Sequence, residues 1–303
     1  MVVNFRHEQA VNRRKTFLLL ALFGGLLWLV LYAGLTYMGR STTAIVPIAV
    51  GISLISVWGS YYASDKIVLT MTGARQVDEK DAPQLFNLVQ EVCVASGLPM
   101  PKIAIVEDQA PNAFATGRNP EHAVIAFTSG ILAKMDRDEL QGVTAHEMSH
   151  VANRDTLVSA VAATTAGAIA LITDMLMRML WWGGGDRRDR DNNQNPLALI
   201  GSLLILILAP LAAMLLRAAI SRRREALADA TAVQFTRNPA GLRRALEVLQ
   251  RDTTVVEHAS NAVAHLYIES PLDGQGVSKL FSTHPPLEER IALLRQMEQG
   301  GNY

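Results

Sequence analysis

The stretch "TAHEMSHVANRD" at residues 144–155 decides which fold the sequence predicts. It places His146 and His150 four residues apart, with Glu147 directly after the first. In a helix, residues i and i+4 lie on one face, so the two imidazoles can bind one metal ion. Glu147 then lies beside that ion, where a base can take a proton from a zinc-activated water. Because chance H-E-x-x-H matches occur, the rest of the sequence must decide between a zinc site and an ordinary helix.

The sequence around the motif predicts a small sheet packed with helices. Asp136 followed by Glu139 is a capping box, so the histidines should lie near the C-terminal end of one helix. Upstream, "DAPQLFNLVQEVCVASG" (81–97) has apolar residues at helical spacing and ends at a glycine. Three strands are expected between these helices: "KIAIVE" (102–107), "PNAFATG" (111–117) and "HAVIAFT" (122–128).

A third metal ligand is available in "REALADA" (224–230), where Glu225 and Asp229 are one helical turn apart. Alone, such a pair is typical of a solvated helix face. Together with the histidine motif, Glu225 would complete a His₂Glu site for one Zn²⁺ per chain. Asp229 would accept the free ring N–H of a histidine ligand and so fix its tautomer.

Four uncharged or nearly uncharged runs predict transmembrane helices. Each is close to the roughly 20 residues that cross a bilayer. They are Phe17–Met38, Thr42–Ala63, Thr156–Trp182 and Pro196–Leu216. The first could be mistaken for a cleaved signal peptide, but a second run follows it at once, which favours a retained hairpin.

The distribution of basic residues predicts the orientation in the membrane. Four lie before the first run (Arg6, Arg13, Arg14 and Lys15), whereas the turn to the second run holds only Arg40. Positive charge is retained in the cytoplasm, so the N-terminus and both polar blocks should be cytoplasmic. A second hairpin leaves and returns on the same side, so it would bring Glu225 next to the histidine helix.

The composition of the chain argues against a nucleic-acid-binding protein and against a disulfide-stabilised one. The chain has 303 residues and a formal net charge of zero, so nothing indicates nucleic acid as a partner. Its single cysteine, Cys93, excludes an intramolecular disulfide framework and is expected to be a buried packing residue.

Taken together, the motifs resemble the HtpX family of membrane zinc metalloproteases, which is related to the membrane proteases that process CAAX proteins. The segments that carry this resemblance extend over most of the chain after the first two apolar runs. They are "PNAFATGRNPEHAVIAFTSGIL" (111–132), "HEMSHVANRDTL" (146–157), "SRRREALADATAVQFT" (221–236) and "FSTHPPLEERI" (281–291).

The resemblance implies an α+β, mainly helical fold, in which four transmembrane helices accompany a cytoplasmic gluzincin-type protease domain with a small β-sheet. The apolar runs and the polar blocks between them divide the chain into a transmembrane hairpin (1–65), the first half of the protease domain (66–155), a second hairpin (156–220) and the second half of that domain (221–303). In such a site His146, His150 and Glu225 bind the zinc and Glu147 is the general base.

The resemblance also implies a function and a location. The protein would be a multi-pass protein of the cell inner membrane, with its active site facing the cytoplasm. It would cleave misfolded or damaged membrane proteins and unfolded polypeptides under stress. The lipid bilayer and other membrane quality-control proteases would be its partners.

Substrate contacts are predicted from the residue pattern and from the family resemblance together. "HAVIAFT" is expected to be an edge strand that binds extended substrates through Val124, Ile125 and Ala126 by backbone pairing. Asn112 and Ala113 should line the same cleft; a plain hairpin of the core is the alternative.

Two residues of the C-terminal segment have predicted roles near the reacting carbonyl. His284 could donate to the oxyanion, with Arg290 in support on the substrate side. The alternative for His284 is a helix-capping histidine.

Three rival functions remain. An intramembrane protease is disfavoured because the helix that carries the motif is too polar for lipid. A non-catalytic scaffold or chaperone with a structural zinc would usually have four protein ligands. CAAX-type peptide processing is the nearest alternative, although such enzymes tend to have more spans than the four expected here.

Overall fold

The computed structural model describes residues 5–37, 42–182, 222–254, 263, 266–268 and 286–300. The N-terminal part consists of helices α1 (Phe5–Tyr37), α2 (Thr42–Tyr62) and α3 (Ser64–Thr72). Helix α1 packs against α2 and against the long helix α7 (Asp155–Trp182).

Within the part of the chain that the structure describes, no helix combines the length and apolar character needed to cross a membrane. The four predicted spans are therefore not confirmed, and the fourth, at 196–216, lies outside the described residues.

A four-stranded mixed sheet forms the base of the site. Its strands are β1 (Arg75–Val77), β2 (Lys102–Val106), β3 (Ala113–Thr116) and β4 (Val124–Thr128), in the order β1-β2-β4-β3. Strand β4 is parallel to β2 and antiparallel to β3. The three predicted strands are present, and the mainly helical fold with a small sheet is confirmed.

The prediction that "HAVIAFT" is the edge strand is wrong. Strand β4 pairs on both sides, so the backbone groups of Val124, Ile125 and Ala126 are used within the sheet. Within the described residues, the edge strand next to the site is β3, which pairs with another strand on one side only. Every residue of β4 is buried, and a short continuous apolar run of this kind is typical of a strand covered on both faces.

Helices cover the sheet and carry the site. The described helices of the first polar block are α4 (Pro83–Ser96), α5 (Ser129–Lys134) and α6 (Arg137–Ala152). Helix α4 ends where predicted, because Gly97 adopts the left-handed conformation that stops a helix. After the undescribed segment come α8 (Arg222–Thr236), α9 (Pro239–Arg251) and α10 (Leu287–Glu298). The predicted four-part division of the chain stays a prediction.

Helices α8 and α9 both pack against helix α6. The approach of α9 requires a glycine: a Cβ at Gly142 would lie 2.6 Å from the backbone nitrogen of Leu242 and 2.7 Å from its Cα. Side chains of α4, α6 and α9 share one core with the inner face of the sheet. This packing fixes α6, and with it the histidine motif, against α8.

Candidate metal centre

Helix α6 positions both histidines. Its start is fixed by the predicted capping box: Asp136 accepts from the Glu139 backbone N–H at 2.9 Å, and Glu139 accepts from the Asp136 backbone N–H at 2.8 Å. His146 is 1% exposed, and the Nε2 atoms of His146 and His150 lie 3.3 Å apart. Two imidazoles on one helix face therefore converge on one point.

Helix α8 brings Glu225 to this point. Its Oε2 lies 3.6 Å from Nε2 of His146, and its Oε1 lies 3.8 Å from Nε2 of His150. One ligand atom from each of the three residues lies within 4.8 Å of the others. The structure thus brings together the three residues that the sequence predicted as ligands, although Glu225 is far from the histidines in the chain.

The geometry of these donors fits zinc. Zinc–ligand distances of about 2.0–2.1 Å in a tetrahedron place neighbouring ligand atoms about 3.3 Å apart. The distance between the two Nε2 atoms is 3.3 Å, and the distances to Glu225 are 3.6 and 3.8 Å. Two imidazoles and one carboxylate are also the ligand set of a catalytic site, which leaves the fourth position open.

Asp229 lies behind His146, as predicted. Its Oδ1 is 2.9 Å from Nδ1 of His146, and the carboxylate is completely buried. An Nδ1–H that donates to a carboxylate leaves Nε2 as the metal-binding atom. Burial raises the pKa of Asp229, but the neighbouring Arg290 and His146 lower that pKa by more than burial raises it. The net shift is downward, so Asp229 stays ionised.

Arg290 has a different position from the one predicted. It is 3% exposed, and its guanidinium donates to both oxygens of Asp229, from Nε at 2.9 Å and from Nη2 at 2.7 Å. Since this bidentate pair uses one edge of the guanidinium, Arg290 supports Asp229 rather than contacting substrate. Neighbouring carboxylates hold the pKa of Arg290 above its usual range despite burial.

The metal-free site keeps a proton on His146. Burial and the nearby Arg290 lower the pKa of His146, but hydrogen bonds to Asp229 and Glu225 outweigh them and raise it to about 9. A metal ion that binds Nε2 must displace this proton.

The sequence did not predict how His150 is oriented. Its Nδ1 lies 3.1 Å from Oδ2 of Asp155, the first residue of α7. Asp155 reaches the imidazole because the chain turns at Arg154, which has a φ of 58°. Each histidine therefore has its own carboxylate: Asp229 for His146 and Asp155 for His150.

The remaining predicted residues are divided between the sheet and the undescribed part of the chain. Asn112 and Ala113 lie at the start of the edge strand β3, and both are buried. Val124, Ile125 and Ala126 lie inside the sheet, away from its edge. His284 lies outside the described residues.

Comparison with known protein families decides the affiliation. Residues 79–298 match the model of peptidase family M48, which is more than half of the chain. The chain belongs to peptidase family M48. The resemblance that the motifs predicted is confirmed.

Relatives of nearly equal length are named proteases. A protein of Streptococcus gordonii named a protease HtpX homolog is 46% identical over 292 residues, which cover 95% of this chain and 98% of the relative. Relatives with the same name in Caldanaerobacter subterraneus and Streptococcus pneumoniae are 46% and 47% identical over 95% of this chain. The crystal structure of S. mikatae Ste24p is 17% identical, with a TM-score of 0.49, over 95% of this chain and 66% of that one.

Proposed function

We propose that this protein is a membrane-bound, zinc-dependent endopeptidase that cleaves misfolded or damaged membrane proteins on the cytoplasmic side. The observation that carries the proposal is the convergence of His146, His150 and Glu225 from two helices; Glu147 directly follows the first histidine in α6. Membership of a peptidase family supports proteolysis as the reaction.

The donor set supports a catalytic site over a structural one. Among the described residues the cluster has three possible protein ligands, whereas structural zinc sites usually have four. Bound zinc would supply a Lewis acid that makes a water nucleophilic near neutral pH and polarises the scissile carbonyl. In this role His146, His150 and Glu225 would hold the metal, with Asp229 and Asp155 orienting the two imidazoles.

Glu147 is proposed as the general base. It follows His146, so its side chain is about 100° further round the helix than that ligand. This helical offset supports a position of the carboxylate beside the cluster. The Glu147 side chain is 2% exposed. It would accept a proton from the attacking water and pass it to the leaving amine. His284 stays a predicted oxyanion donor.

Substrate pairing is proposed at β3. The C=O of Asn112 faces β4, since it accepts from the Thr128 N–H at 2.9 Å. Alternation along an antiparallel pair then turns the backbone groups of Ala113 and Ala115 outward. The Ile268 N–H already donates to the Ala113 C=O at 3.0 Å. An extended substrate would therefore pair with Ala115 and displace Ile268 to extend further.

The membrane location is supported by the sequence. The four apolar runs, the basic residues before the first one and the return of Glu225 to the histidine helix all agree with two hairpins that enter from the cytoplasm. On this proposal the lipid bilayer is a partner and membrane proteins and unfolded polypeptides are the substrates. Other membrane quality-control proteases are proposed as further partners.

The test is zinc-triggered cleavage. Full-length protein is purified in detergent with a chelator, zinc is added, and cutting of an unfolded polypeptide is followed for wild type and for Glu147→Gln. We expect cutting by wild type alone, with one zinc bound per chain in both proteins. The matched control is Glu91→Gln, which removes an exposed carboxylate of α4 that pairs with Arg137 and is not part of the cluster, and it should cut like wild type.

The alternatives give other results. If both proteins bind zinc and neither cuts, the site is that of a non-catalytic scaffold. Equal cutting by both excludes Glu147 as the base. Cutting restricted to prenylated CAAX peptides would move the proposal to peptide processing.

A further inference from the structure

Asp155 is held from two sides. Its Oδ2 lies 3.1 Å from Nδ1 of His150, and its Oδ1 accepts from Nδ2 of Asn12 at 2.5 Å. Asn12 belongs to the N-terminal helix α1, 143 residues away in the chain. A hydrogen-bonded chain therefore runs from α1 through Asp155 to a metal-binding imidazole.

Asn12 is placed for this contact. It is 1% exposed, and burying an amide is costly unless it is hydrogen-bonded. Asparagine is also a poor helix former, so neither solvation nor helix propensity accounts for it within α1. Its Nδ2 makes a second bond, to the backbone C=O of Asn153 at 3.1 Å.

The two hydrogen bonds of Asn12 go to the residues directly before and after one with an unfavourable backbone conformation. Arg154, between Asn153 and Asp155, has a φ of 58°, a conformation that non-glycine residues seldom adopt. This residue makes the turn that carries Asp155 back to His150. By holding the residue before it and the residue after it, Asn12 fixes the turn in the form that the site needs.

A competing cation lies near Asp155. Nη1 of Arg224 is 3.7 Å from Asp155 Oδ1, which is too long for a hydrogen bond. Without Asn12, the carboxylate could rotate towards this guanidinium and lose its alignment with His150.

We propose that Asn12 is a positioning residue for the metal centre, which holds Asp155 against His150 and thereby fixes the orientation of that ligand. The inference rests on the proposed function in one respect, since His150 must bind the metal. Its consequence is that α1 contributes to zinc affinity although it carries no ligand.

The test is a double-mutant cycle on zinc affinity. Metal-free, full-length protein in detergent competes for zinc with a chromophoric chelator, for wild type, Asn12→Leu, Asp155→Ala and the double variant. Leucine keeps the size of asparagine and removes the donor. The matched control is Thr16→Val: Thr16 is buried one turn further along α1, and its hydroxyl donates only to the Asn12 backbone C=O.

Loss of a residue that orients a metal ligand typically weakens metal binding 10- to 100-fold. We expect Asn12→Leu to weaken zinc binding on the order of tenfold. In the Asp155→Ala background the same change should have no further effect, because Asn12 acts through Asp155. Thr16→Val should bind zinc like wild type. Circular dichroism checks that each variant is folded; if Asn12→Leu is not, Asn12→Ser carries the same expectation.

Two results would overturn the inference: unchanged zinc affinity in Asn12→Leu, or a loss that adds fully to that of Asp155→Ala. The second would show that Asn12 acts on the fold and not through the carboxylate. A wild-type protein that binds no zinc would instead overturn the proposed function, so the two failures can be told apart.

Discussion

At the residue scale, the protonation of His146 sets the pH dependence of metal binding. The metal-free residue has a pKa of about 9, so below that pH zinc must displace one proton. We expect zinc affinity to rise by about tenfold per pH unit as the pH approaches 9 and to flatten above it, because the proton no longer competes. Chelator competition from pH 6.5 to 10 measures this. An affinity independent of pH below 8 would contradict it.

The variant Asp229→Asn should shift the dependence of zinc affinity on pH to lower pH. The amide removes the negative charge that raises the pKa of His146, so the flattening should move to lower pH. It also removes the carboxylate that orients the imidazole, so the plateau affinity should fall about 10- to 100-fold. Asp138→Asn, an exposed change on the same helix as the histidines, is the control. If the plateau is unchanged, Asp229 has no part in orienting His146.

The ligands and the carboxylate that supports His146 were predictable at this scale, whereas the carboxylate that supports His150 was not. His146 with His150, and Glu225 with Asp229, are i, i+4 pairs, and helical periodicity alone places each pair on one face. Asp155 contacts His150 only through the left-handed turn at Arg154, and no spacing rule encodes that turn.

At the element scale, the close contact of α6 and α9 gives a stability prediction. Gly142→Ala would place a methyl group 2.6 Å from the backbone of Leu242, so the helices must separate. We expect a loss of about 1–3 kcal/mol in the free energy of unfolding, as for overpacked cores. Denaturant unfolding measures it.

The control is Gly59→Ala in α2, where a Cβ meets nothing within 4 Å. This change should be neutral or stabilising by up to about 1 kcal/mol, because alanine is the better helix former. Equal effects of the two changes would mean that α6 and α9 are not in tight contact.

The edge strand gives a prediction about substrates. If a substrate pairs with β3, only alternate backbone N–H groups of the substrate face the enzyme. Methylating these nitrogens one at a time in a cleavable peptide should raise KM with a period of two residues, while kcat changes little for positions away from the cut. A uniform rise, or none, would argue against strand pairing.

The order of the strands is where the sequence was misleading. Period and composition identified β2, β3 and β4, but they do not state which strands are neighbours. The unbroken apolar run of β4 indicates only that both faces of the strand are covered, and all five of its residues are buried. It carries no information about pairing at the sides of the strand, because all four residues of the edge strand β3 are buried as well. Long-range pairing with β2 decided the order, and local pattern carries no information about it.

At the scale of the whole molecule, the apolar runs and the basic residues before the first one predict a cytoplasmic protease domain. The single cysteine of the chain makes a cysteine-labelling test of this orientation possible. That cysteine, Cys93, is 6% exposed, and burial raises the pKa of the thiol to about 11, so it should react poorly with maleimides at pH 7. A new surface cysteine can therefore be labelled selectively.

Lys80, exposed in the turn between β1 and α4, is a suitable position. In Lys80→Cys we expect a membrane-impermeant maleimide to label inside-out vesicles and not right-side-out ones, because the first polar block should face the cytoplasm. Detergent-solubilised wild type, labelled in parallel, checks that Cys93 stays silent. Labelling of right-side-out vesicles alone would place the protease domain outside, and recovery of the protein in the soluble fraction would remove the membrane from the proposal. In either case the metal site could still cut polypeptides, so this measurement tests where the protein acts independently of what it does.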